Sequence, residues 1–136
     1  IGVLPDIMAG NIIGVIAQRL VRRLCPHCRE PLTADAAARR LLRLEEDAPP
    51  TRIYRALGCY ACDFQGYRGR FAILELLAFD DDTDELVARR ASARELRAHA
   101  VARGFRSLAD DGRRRVIDGT TSLDELLRVV DLAGRR

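Results

Sequence analysis

Two cysteine pairs carry the chemistry of this sequence: Cys25-Pro26-His27-Cys28 and Cys59-Tyr60-Ala61-Cys62, with thirty residues between them. Thiolates three positions apart on a tight turn point at one ion, and a second such knuckle opposite completes a tetrahedral four-sulfur site, which suits zinc. Another metal, or a pair of disulfides, stays open at this point. Disulfides within a CxxC are strained and redox-active, and no secretory signal accompanies them here. The spacing also differs from the known iron–sulfur runs. His27 lies inside the first knuckle, but four thiolates already fill a tetrahedral shell, so it reads as a neighbour of the site or a surface residue. A closed four-cysteine site leaves no open coordination position, so the expected role of the metal is structural rather than hydrolytic. With aromatics at 5% and no Trp, the chain would draw part of its folding energy from that metal.

No second constellation competes. There is no defensible Ser/His/Asp set and no pair of carboxylates with a supporting motif. All 23 basic residues are Arg and none is Lys. That excludes a phosphate-binding G-x-x-x-x-G-K-[ST] loop and a Schiff-base lysine within this chain. The net charge of +3 is too balanced to mark a nucleic-acid binder. Asp80, Asp81, Asp82, Asp84 and Glu85 form an acidic run. It lacks the spaced ligands and turn glycine of a calcium loop and fits the charge preference of a helix N-terminus. His99 falls among helical residues and reads as a surface or packing histidine.

The elements that must position the cysteines follow from periodicity. Ile7 to Ala17 is apolar on nearly all sides and predicts a helix buried on most faces, started by Pro5 and Asp6. It is too short to span a bilayer. Gln18 to Leu24 is ambiguous between helix and strand. A helix capped by Thr33 is predicted over Asp35 to Leu44, inserted between the knuckles. Ile53 to Leu57 predicts a short strand leading into Cys59. Gly66 to Arg70 predicts a turn, and Phe71 to Phe79 a buried strand. Glu75 is the one charge in that strand; it either pairs with Arg68 or Arg70 or faces solvent. From Asp80 onward the pattern predicts a small bundle of four helices. Ser92-x-x-Glu95 and Ser122-x-x-Glu125 both match a capping box, and Gly119 is placed to end a helix. The chain opens on Ile1 rather than Met, so a fragment of a longer protein is the expectation.

Taken in order, AQRLVRRLCPHC, GCYAC, GYRGRFAILELL, the acidic helix start and DDGRRRVIDGTTSLDELLRV resemble the C-terminal part of the traffic ATPases of bacterial type II secretion and type IV pilus assembly. The resemblance runs from about Gly2 to Val130, and GYRGR is its most discriminating piece. It implies a cytoplasmic, hexameric parent, held at the inner membrane through platform proteins, whose P-loop and ATP and Mg²⁺ sites lie upstream. It implies three parts here: residues 1–24 as the end of the ATPase domain, 25–79 as a four-cysteine zinc-binding subdomain, and 80–136 as a C-terminal helical subdomain. Cys25, Cys28, Cys59 and Cys62 would be the ligands of a structural Zn²⁺. Arg70, with Arg68 beside it, would reach a neighbouring subunit's nucleotide or acids, a task that suits a planar, always-charged guanidinium; local pairing of Arg70 with Glu75 is the alternative.

The fold class expected is α+β, with a small zinc-ribbon-like β element and its knuckles flanked by an N-terminal buried helix and a C-terminal helical bundle. The function expected is the zinc-binding portion of a type II secretion ATPase, inactive toward ATP on its own. Type IV pilus assembly is the alternative, and a standalone zinc-ribbon binding module a further one. No nucleic acid is expected as a partner, because stacking aromatics around a basic groove are missing.

Overall fold

The computed structural model describes residues 5–132. The fold is α+β, with antiparallel pairing in its small sheets and helices on either side of the knuckles. Among the described residues the order is α1 (Pro5–Met8), β1 (Gly14–Leu24), β2 (Glu30–Thr33), α2 (Ala36–Leu42), β3 (Arg52–Arg55), β4 (Tyr67–Ala78), α3 (Asp81–Ala88), α4 (Ala93–Ala102), α5 (Leu108–Ile117) and α6 (Leu123–Val129). A single 3₁₀ turn, Tyr60–Cys62, lies in the second knuckle. β1 pairs with β4. β2 pairs antiparallel with β3, with Leu32 opposite Ile53 and Thr33 opposite Arg52.

The apolar stretch from Ile7 to Ala17 departs from the helix expected of it. Helix α1 stops after Met8, Gly10 takes φ +75°, and the Asn11 side-chain amide donates back to the Ile7 carbonyl at 2.9 Å. Strand β1 follows. Its β-branched residues favour an extended backbone, and Phe79 N–H donates to the Ile13 carbonyl at 3.1 Å. Nor is the stretch buried: Ile13 is 92% exposed and Ile16 67%. Unbroken apolarity suits a strand as well as a helix, and cross-strand pairing decided between them. β1 also resolves the ambiguity at Gln18 to Leu24. β4 starts earlier than the strand read from sequence and takes in Tyr67 to Arg70, with Gly69 at φ +76° inside it.

The helix between the knuckles forms as α2, but its cap is Asp35, whose carboxylate accepts from Ala38 N–H at 2.7 Å. Thr33 is instead engaged in the β2–β3 ladder. The four C-terminal helices all form. Ser92 and Glu95 complete a reciprocal capping box at α4. At α6, Ser122 accepts from Glu125 N–H at 3.1 Å, while the Glu125 carboxylate points elsewhere.

Contacts divide the chain into two compact units. One comprises Ile1–Ala17 with Leu74–Ser107, and so holds α3 and α4. There Val15, Ala17, Leu77, Leu96 and Phe105 line a cavity of about 250 Å³ with Glu75 and Arg97 at its wall. The other comprises Gln18–Ile73 with Leu108–Arg136 and holds both knuckles, α5 and α6. Its core is built on Val21, Leu42, Ile53, Ile73, Val116 and Leu126. Gly112 on α5 lets Leu126 of α6 approach: a Cβ there would lie 2.3 Å from Leu126 Cδ1. Arg113, 5% exposed, donates from Nε to the Leu41 carbonyl at 2.8 Å and ties α5 to α2. Among the described residues, no helix is long and apolar enough to cross a membrane.

Candidate metal centre

All four cysteines converge. Cys25 follows β1 directly, Cys28 closes the turn after it, and Cys59 and Cys62 bracket the 3₁₀ turn before β4. Their sulfurs lie within 4.8 Å of one another. Cys25 and Cys59 are 3.9 Å apart, Cys28 and Cys62 3.7 Å, and Cys59 and Cys62 3.8 Å. An ion bound tetrahedrally at about 2.3 Å from each sulfur requires sulfurs about 3.8 Å apart. A disulfide requires about 2.05 Å, and none of the four cysteines forms one. The donor set and its dimensions therefore fit a metal ion.

The backbone is arranged for thiolates. Gly58 N–H donates to Cys28 Sγ at 3.3 Å, Cys59 N–H to Cys62 Sγ at 3.3 Å, and Gly66 N–H to Cys62 Sγ at 3.2 Å. Burial pushes the Cys28 thiol up to about 12 and raises Cys59 as well. Burial also opposes ionisation of Cys62, but the Cys59 and Gly66 amides outweigh it and draw that thiol down to about 7. Glycine is required at two of these positions. Gly58 (φ +120°) would set a Cβ 2.6 Å from the Phe64 carbonyl oxygen, and Gly66 (φ +74°) one 2.6 Å from Ala56 Cβ.

His27 is exposed within the first knuckle and is not among the clustered donors. His99 lies in the other unit, 3.2 Å from Asp80. Asp80 caps α3, accepting from the Thr83 hydroxyl and N–H, and these bonds hold its carboxyl below the usual range. Arg103 pairs with both Asp80 and Asp82, so the acidic run serves the helix N-terminus and its ion pairs. Arg68 and Arg70 are exposed on β4, with no ion pair between either and Glu75 among the described residues. For Arg70, strand alternation accounts for that, since five positions along a strand put it and Glu75 on opposite faces.

One group of residues was invisible to motif reading. The side chain of Glu125 is fully buried and accepts from Arg22 N–H at 3.0 Å, Arg22 Nε at 2.8 Å and Arg128 Nε at 3.0 Å. The Arg22 guanidinium lies 4.1 Å from the centre of the Tyr67 ring, and Tyr67 hydrogen-bonds Ser122 Oγ at 2.7 Å. The capping-box match at Ser122 concealed this role; the only signal in the sequence was an arginine three residues before a metal-type cysteine.

The comparisons show the family. The family model described as Type II/IV secretion system protein matches residues 1–128. The chain is 47% identical over 128 residues to Type II secretion system protein E of Pseudomonas aeruginosa, which covers 94% of this chain and 25% of that protein. It is 43% identical to Type II secretion system ATPase E of Vibrio cholerae, over 94% of this chain and 25% of that one. It is 39% identical to Type IV pilus assembly ATPase PilB of Thermus thermophilus, over 93% of this chain and 14% of that one. The chain thus spans about a quarter or less of the length of these relatives. With its double knuckle, its α+β fold and a match along nearly its whole length, the chain belongs to the type II/IV secretion system protein family.

Proposed function

We propose that this chain is the zinc-holding portion of a hexameric ATPase that powers type II protein secretion. In that role it contributes subunit interfaces and passes nucleotide-driven motion to partners at the inner membrane. The observation that carries this is the four-sulfur cluster, all within 4.8 Å, in which three sulfur pairs at 3.7 to 3.9 Å match tetrahedral Zn–S geometry. Zinc is favoured over other ions because four thiolates are soft donors and the shell is closed. The metal would hold the two knuckles together and supply no chemistry to a substrate. Relatives named for secretion range from 37% to 47% identity and those named for pilus assembly stand at 39%, so the secretion reading rests on the upper members of that range. ATP hydrolysis belongs to the larger protein, because this chain has no lysine for a P-loop. The protein would work in the cytoplasm, peripheral to the membrane, and without nucleic acid.

The test is genetic and analytical together. The complete gene is replaced in its native strain by one carrying Cys59→Ser, and the wild-type and variant proteins are purified. One zinc per wild-type chain, loss of zinc from the variant, and loss of exoprotein secretion with pili retained are expected. Wild-type protein without zinc would overturn the metal assignment. Loss of pili with secretion intact would move the protein to the pilus branch.

A further inference from the structure

We infer that the segment from Gly119 to Glu125, with Glu125 at its centre, positions both cysteine knuckles and so sets how tightly the metal is held. The inference rests on the four cysteines binding a metal, as proposed above.

Contacts from this short segment reach both halves of the centre. On the first knuckle's side, Glu125 accepts from Arg22 through its backbone N–H and its guanidinium, three residues before Cys25. Thr121 Oγ1 donates to the Arg22 carbonyl at 2.8 Å, and Leu24 N–H donates to the Thr120 carbonyl at 2.9 Å. Just past Cys28, Arg29 donates to the Gly119 carbonyl at 2.7 Å. On the second knuckle's side, Tyr67 hydrogen-bonds Ser122 and lies against the same Arg22 guanidinium. Tyr67 directly follows Gly66, which donates its N–H to Cys62 Sγ and accepts from Cys25 N–H at 2.9 Å. Thr121 and Glu125 are both 0% exposed, so water cannot replace these bonds at little cost. The knuckles close on turn hydrogen bonds of their own, such as Arg29 N–H to the Cys25 carbonyl and Phe64 N–H to the Cys59 carbonyl, and the bonds from this segment hold the strand ends from which those turns leave. Groups that orient ligands from outside the coordination shell commonly tune metal affinity about 10- to 100-fold. Glu125 touches no sulfur; it is a positioning residue that acts through Arg22.

The experiment uses the full chain with Zn²⁺ bound, and follows zinc transfer to a chromophoric chelator in excess. It compares wild type with Glu125→Gln, which keeps the shape but loses the charge, and with Tyr67→Phe, which removes only the bond to Ser122. Glu95→Gln serves as control, because it removes the charge from a similar capping interaction at α4. Release about tenfold faster from Glu125→Gln and a few-fold faster from Tyr67→Phe is expected, with Glu95→Gln unchanged. The Co²⁺-substituted forms should show a shifted visible band for the first two variants alone. If Glu125→Gln does not fold, Tyr67→Phe decides. Release and spectra equal to wild type in Tyr67→Phe and in any folded Glu125→Gln would overturn the inference, as would equal acceleration in Glu95→Gln. Wild-type chain that takes up no Zn²⁺ or Co²⁺ would instead overturn the metal assignment beneath it.

Discussion

Glu125 gives the residue scale its sharpest test. Burial alone would raise its carboxyl, but hydrogen bonds from Arg128 and Arg22 prevail and hold it down at about 2. A carboxyl depressed in the folded state stabilises it above the unfolded value, near 4.3. That contribution disappears as pH falls from about 5 toward 2. Both arginines reach solvent, with side chains 40% and 58% exposed, so screening reduces the effect to roughly 2 kcal/mol. The Glu125 side-chain carboxyl, followed by NMR in the folded chain, should titrate near 2. The stability advantage of wild type over Glu125→Gln should shrink across the same interval. A midpoint near 4.3, or an advantage independent of pH, would refute the account.

At the scale of elements, two identical motifs came to different ends. Ser92-x-x-Glu95 is an exposed, reciprocal box at α4, and Ser92→Ala should cost about 1 kcal/mol. Ser122-x-x-Glu125 is buried, and its serine serves the Glu125 N–H and the Tyr67 hydroxyl together. Ser122→Ala leaves a partly buried hydroxyl without its partner and should cost about 2–3 kcal/mol. Urea unfolding of the two variants checks this, and equal costs would contradict the distinction. The sequence pattern names both helix starts correctly. It is silent on which glutamate turns back to its cap and which is taken by arginines remote in sequence. In the same way, Ile7 to Ala17 carries apolar content without a period that separates helix from strand, and the pairing with β4 decided for the strand.

For the whole molecule, the question is what the exposed arginines of β4 meet. Arg70 and Arg68 stand out from the strand on either side of Gly69, and local pairing with Glu75 does not hold them. A guanidinium left in solvent is available to carboxylates or phosphates of a neighbour. In the complete ATPase proposed above, Arg70→Ala is expected to lower ATP turnover at least tenfold, with metal content equal to that of wild type. Turnover and assembly both at wild-type level would remove Arg70 from the interface. Arg68→Ala in parallel separates the two positions.

The sequence alone determined which four cysteines converge, the existence of each C-terminal helix and the family. Each of these is written in short-range signals: CxxC turns, caps, and runs of apolar residues at 3.6 spacing. Only the tertiary structure decided that Ile13 lies exposed just ahead of a strand and Ile16 exposed within it, that Asp35 rather than Thr33 caps α2, and that Arg22, Tyr67, Glu125 and Arg128 form one network behind the cysteines. Those outcomes depend on pairing between residues up to 103 positions apart. A hydrogen bond over that distance leaves no periodicity in the chain, because its partners meet only after the strands and helices between them have packed.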